Sequence, residues 1–152
     1  MKKLLVRTVM AAILSVGMSG VTFAATDRDR CSERTLQGRY VFSASGFAIN
    51  PATGVAQPKA IVEIIDFNGD GTLAVPAATR SVNGVPVRSD PSVGSYTVTD
   101  DCTGTLMFEG PAFDIFIAPH GDQLWLIQTN PNNVFQGSAT RTSRGTPNED
   151  PR

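Results

Sequence analysis

The chain has 152 residues, 13 of them basic and 14 acidic, with one histidine and two cysteines. That length suits a single domain with one modest core. There is no cluster of basic side chains, which excludes a phosphate-backbone partner such as nucleic acid.

The first residues read as a leader. Lys2, Lys3 and Arg7 form a positive start, residues 9–16 are an apolar run broken by Ser15, and Thr22-Phe23-Ala24 supplies small residues at the −3 and −1 positions of a cleavage site. The run is shorter than the roughly 20 residues a membrane span requires. Cys31 follows the charged Asp27-Arg28-Asp29-Arg30 rather than the apolar run, which argues against a lipoprotein start. Residues 1–24 are therefore read as a signal peptide, with export to the periplasm or the medium and no membrane attachment after its removal. The mature chain has 152 − 24 = 128 residues, and its net charge is near 10 − 14 = −4.

Residues 25–35 are a polar lead-in carrying Cys31. An even pair of cysteines in an exported chain defaults to a disulfide, here Cys31 to Cys102. By loop closure such a bridge is worth about 4 kcal/mol. Neither cysteine lies in a C-x-x-C pair and His120 is alone, so no zinc set and no cofactor is expected.

Residues 36–47 form the first predicted strand, with Tyr40 and Phe42 on one face and Val41 on the other. Gly38 and Gly46 let it bend. A loop covers 50–58. The second strand, 60–67, places Ile61, Glu63, Ile65 and Phe67 on one face and Val62 and Ile64 on the other. A strand apolar on both sides is covered on both, or lines a cavity on one. Asn68-Gly69-Asp70-Gly71 turns the chain into a third strand, 72–82, where Pro76 calls for a bulge. After the Asn83-Gly84 turn, Pro86 and Pro91 leave little regular pairing over 85–92. Runs at 96–99 and 105–109 form a hairpin around a turn that holds Cys102. A sixth strand spans 112–118, with Phe113, Ile115 and Ile117 opposite Asp114 and Phe116. A seventh spans 123–129 and an eighth 134–142, and residues 143–152 read as a disordered tail.

Eight strands joined by hairpin-length turns, with no helix, predict an all-β fold over residues 36–142. An up-and-down antiparallel barrel is preferred to a sandwich, because few gaps are long enough for a Greek-key return. An eight-stranded barrel is nearly filled by its side chains or holds one small ligand.

Five stretches occur in order: Leu36-Gln37-Gly38-Arg39-Tyr40, Asp66-Phe67-Asn68-Gly69-Asp70-Gly71, Gly94-Ser95-Tyr96-Thr97-Val98, Asp101-Cys102-Thr103-Gly104-Thr105 and Gly137-Ser138-Ala139-Thr140-Arg141. The pattern resembles a group of small exported bacterial proteins of unknown role, with a lipocalin-type or allene-oxide-cyclase-like barrel. That resemblance implies a fold and lends no activity. Lipocalin-type barrels pair a Gly-x-Trp on the first strand with an arginine on the last. Gly38-Arg39-Tyr40 and Arg141 stand in the matching places, with Tyr in place of Trp. An arginine over that ring is worth about 0.5–2 kcal/mol; the alternative is a solvated Arg141.

Asp66-Phe67-Asn68-Gly69-Asp70-Gly71 also matches the first half of a calcium loop, but Ala77 stands where a bidentate glutamate belongs, and a tight turn explains the same residues. No metal site is expected. Glu63 and Asp114 are acidic residues within apolar strands. Facing inward, either has its pKa raised and can act as a base or hold a polar head group; facing outward, both are simply solvated. His120 falls at a turn tip with no nucleophile fixed beside it, and hydrolase, P-loop and dinucleotide signatures are absent. The aromatic set of Trp125, Phe108, Phe113 and Phe116 reads as core, and an outward surface from Leu124, Leu126 and Phe116 would mark an oligomer interface.

The candidate ligand-binding residues are Tyr40, Glu63, Tyr96, Phe108, Asp114 and Trp125. The reading is a barrel that binds a small apolar or amphipathic molecule without catalysis. One alternative is an isomerase or cyclase using Glu63 or Asp114. The other is an inhibitor or interaction protein acting through the loops at 50–58 and 85–92.

Overall fold

A computed structural model describes residues 30–145. The residues read as a leader, and positions 146–152 of the predicted tail, lie outside this range. Nine strands follow a short 3-10 turn at Glu33–Leu36: β1 Gly38–Ile49, β2 Ala56–Phe67, β3 Thr72–Val82, β4 Val85–Ser89, β5 Ser92–Val98, β6 Thr103–Phe108, β7 Ala112–Ile117, β8 Gln123–Gln128 and β9 Asn133–Ser143. All pairings are antiparallel, and eight strands close a barrel in the order β1-β2-β3-β5-β6-β7-β8-β9 and back to β1. The seam is long. Tyr40 faces Arg141 and Ala48 faces Asn133 across β1 and β9. β-Branched and aromatic residues at period two drive the closure, since each strand buries one face against the others.

Alternation decides what faces inward. Tyr40, Phe42 and Ala44 on β1, Ile65 and Phe67 on β2, Phe113, Ile115 and Ile117 on β7, and Leu124 and Leu126 on β8 are all buried. Trp125 and Phe116 pair across β8 and β7 and point outward. Their expected place in the core is therefore corrected. Leu126 shares the inner face with Ile115 because the two are cross-strand partners, so Leu124 and Leu126 do not form the outer surface.

Pro76 falls at a bulge. Ile64 pairs with Ala77 but Asp66 with Ala74, so β3 carries one residue more than β2. There β3 also changes its second partner, from β5 over Thr72–Val75 to β4 over Ala78–Val82. The expectation of little regular pairing over 85–92 is corrected accordingly. Residues 85–89 form β4, and Pro86 is tolerated because β4 pairs on one side only. Both loops proposed for an interaction role are shorter than expected, since β2 begins at Ala56 and β4 ends at Ser89. At the other end of the chain, Ser143 belongs to β9 rather than to the tail.

One end of the barrel is plugged. Leu36 of the 3-10 turn is fully buried beneath it. A disulfide joins Cys31 to Cys102 in the β5–β6 turn, with Cα atoms 4.9 Å apart. Cys31 N–H donates to the Asp100 carbonyl at 3.3 Å, so a covalent and a hydrogen-bonded tie fix Cys31 to that turn. A bridge of this kind fits an oxidising compartment.

Candidate functional site

The two ends of the barrel differ in what fills them. At the plugged end the Tyr40, Phe67 and Tyr96 rings meet edge to face, at 5.1 and 4.9 Å between centroids. The Tyr96 hydroxyl donates to the Glu33 carbonyl at 2.9 Å and accepts from Gly69 N–H. The Tyr40 hydroxyl donates to the Gly121 carbonyl and accepts from Arg141 Nε at 2.8 Å. Arg141 also donates to the Thr35 carbonyl. Gly121 has φ +68, and a Cβ there would run into the Thr35 carbonyl and the Arg141 guanidinium. Both tyrosines are thus committed to closing the barrel, and burial raises each of their pKa values.

The opposite end is open. A cavity of about 340 Å³ runs from the mouth into the lumen. Its wall is apolar, made of Phe42, Ile61, Val75, Phe108, Phe113 and Phe135 among others. Phe113 links the rings, lying 6.2 Å from Phe42 and 6.0 Å from Phe108. The bulge at Pro76 shapes this wall. Because of the extra residue, Val75 and Ala78 both face inward although three positions apart, and Arg80 and Val82 follow them.

Glu63 lines this space and is 8% exposed. No described group hydrogen-bonds or ion-pairs with its carboxyl, and burial pushes its pKa up to about 7. Lys59 lies four residues earlier on the same face of β2. Its ammonium donates to Gln128 Oε1 and Asn133 Oδ1, both at 2.7 Å, and sits 4.1 Å above the Phe135 ring. Burial lowers its pKa. Arg80, Asp90 and Glu109 complete the charged groups of the lining.

Of the six candidate residues, Glu63 and Phe108 meet in this cavity. Tyr40 and Tyr96 lie at the plugged end. Asp114 is exposed on the outer face opposite Ile127, because Phe113 and Ile115 take the inner positions on β7. Trp125 is half-exposed on that outer face beside Phe116. Asp114 and Trp125 are therefore corrected as lumen residues, and an enzymatic role for Asp114 inside the barrel falls with it. Asp66 faces outward and receives a bidentate pair from Arg39 at 2.7 and 2.8 Å, while Asp70 accepts from Thr72. These bonds occupy the carboxylates of the half-matched calcium loop within a hairpin turn. His120 is exposed at the plugged end with φ +70.

Lys59, Arg80 and the three phenylalanines Phe42, Phe113 and Phe135 were not among the sequence candidates. The signal for Lys59 was present. Residues 59, 61, 63, 65 and 67 alternate along one face, and only the reading of 50–58 as a loop, with the strand starting at residue 60, hid it. Pro58 instead pairs with Phe47 and accepts a bond from Asn83 N–H at 2.8 Å. Compared with known protein-family models and with curated proteins, the chain matches none.

Proposed function

We propose that the protein is an exported carrier that takes a small apolar or amphipathic molecule into the open half of its barrel, without transforming it. The observation that carries this reading is the buried Glu63, whose carboxyl has no partner among the described residues, in an apolar cavity open at one end. A core built only for stability would fill that space, since interiors are close-packed and an unpaired acid there is costly. The volume falls within the range of small-ligand sites, and an apolar wall with few polar groups is their usual composition. Export is inferred from the leader pattern, and the disulfide agrees with it.

The test uses the neutral dye N-phenyl-1-naphthylamine, which brightens in apolar surroundings. The mature protein is expected to bind it with saturable fluorescence. Ala78→Phe, which fills the cavity from β3, is expected to abolish that signal while keeping the far-ultraviolet spectrum of the native fold. Equal dye binding by Ala78→Phe and the parent protein overturns the assignment to the lumen.

A further inference from the structure

We propose that the natural occupant of this lumen is an organic monocation, a lipophilic amine whose ammonium pairs with Glu63 while its apolar part lies among Phe42, Phe113 and Phe135. The inference rests on the lumen-binding reading above and narrows its ligand class.

Three observations point the same way. The first is the charge count along the cavity, whose lining holds Lys59 and Arg80 together with Glu63, Asp90 and Glu109; of these acids only Glu63 is buried. With all five ionised the lining is short by one positive charge. The second is how the cations already present are used. Lys59 is held at the mouth by Gln128 and Asn133, so its ammonium is not spent on Glu63. Among the described residues no group donates to the carboxyl of Glu63, which leaves it free to accept from an occupant of the cavity. The third is the wall. Phe135 already carries an ammonium over its face at 4.1 Å, and the rings of Phe42 and Phe113 continue that aromatic wall into the lumen. An anionic ligand would find Lys59 and Arg80 in the lining, but it would set a second negative charge in the same cavity as Glu63. A neutral one would answer the ionised carboxyl of Glu63 by hydrogen bonding alone, with no opposite charge.

The experiment compares three probes of one shape by calorimetry on the mature protein: 3-phenylpropylamine, 3-phenyl-1-propanol and 3-phenylpropionate. It is run about one unit above the Glu63 pKa of about 7, where the carboxyl is ionised. The amine is expected to bind at least roughly tenfold more tightly than the alcohol, and the propionate most weakly. In Glu63→Gln the amine should lose its advantage over the alcohol. Asp114→Asn, altered on the outer face, should keep the parent preference. If the alcohol matches the amine in the parent protein, or the propionate binds best, the amine assignment is overturned and lumen binding stands. If no probe binds and the dye gives no signal either, the lumen reading fails with it. The comparison in the parent protein decides the question even if Glu63→Gln does not fold.

Discussion

The Arg141 guanidinium lies over the Tyr40 ring, 5.3 Å from its centroid, and its Nε donates to the hydroxyl of the same residue. One side chain from the last strand therefore grips the first strand by ring face and by hydroxyl. With its other nitrogens it reaches the Thr35 carbonyl and, at 3.4 Å, Asp122. Its side chain is only 8% exposed, so the solvated alternative for Arg141 does not hold. The contact ties three pieces of chain that are distant in sequence: the lead-in, the first strand and the β7–β8 link.

Because this contact closes the plugged end, it should be energetically coupled. Tyr40→Phe removes the hydroxyl that answers both Gly121 and Arg141, and is expected to cost about 1–3 kcal/mol. Arg141→Ala should cost about 2–4 kcal/mol by leaving buried acceptors unpaired. In a double-mutant cycle by urea denaturation the two should fall short of additivity by about 1 kcal/mol or more. Strict additivity would show that they act separately.

Glu63 makes stability depend on pH with an unusual sign. Its folded pKa of about 7 lies above the ordinary 4.5, so the folded protein binds the extra proton in the window between those values. Stability is full below the unfolded value and declines as pH rises through the folded one, by up to about 3 kcal/mol. The charged groups sharing the cavity are Lys59, Arg80, Asp90 and Glu109. Melting temperature should fall from about pH 5 to about pH 8 in the parent protein, and that fall should be much smaller in Glu63→Gln. Parallel profiles for the two proteins would place the titration elsewhere.

The disulfide closes a separation of 71 residues between the plug and the β5–β6 turn. Reduction, or Cys31→Ala with Cys102→Ala, should lower unfolding free energy by about 4 kcal/mol at most, measured in guanidinium with and without reductant. The lumen end should feel it least. Dye binding by the fraction still folded is expected to persist, and its loss ahead of unfolding would mean that the plug governs the cavity as well.

Trp125 is the single tryptophan and faces solvent beside Phe116. Its emission should be red-shifted and accessible to iodide. Because it lies outside the barrel wall, a ligand in the lumen should leave it nearly unchanged. A large shift on ligand addition would show that the outer face, where Phe116, Trp125 and Ile127 are about half exposed, is the true binding surface.

Much of this architecture follows from local chemistry. Asn68-Gly69-Asp70-Gly71 and Asn83-Gly84 are turns because Gly69, Gly71, Asn83 and Gly84 take positive φ, and the period-two runs along the chain have an oily face to hide. Eight such runs in succession, with two cysteines, were enough to expect a closed antiparallel barrel with one bridge. Alternation also placed Glu63 on the face of Ile61 and Ile65, whichever way that face turned.

Tertiary structure alone decided which face became the inside. Trp125 and Leu126 are equally apolar as neighbours in sequence. Their fates parted because Leu126 lies across from Ile115, while Trp125 lies across from Phe116 on the convex side. The same holds for the two acids: Asp114 went out with Phe116, and Glu63 went in with Ile65. The cavity itself depends on pairing at a distance. The bulge at Pro76 resets which β3 side chains point inward, and the plug fills only one end. The space left at the other end is a property of the closed sheet, and no stretch of sequence carries it alone.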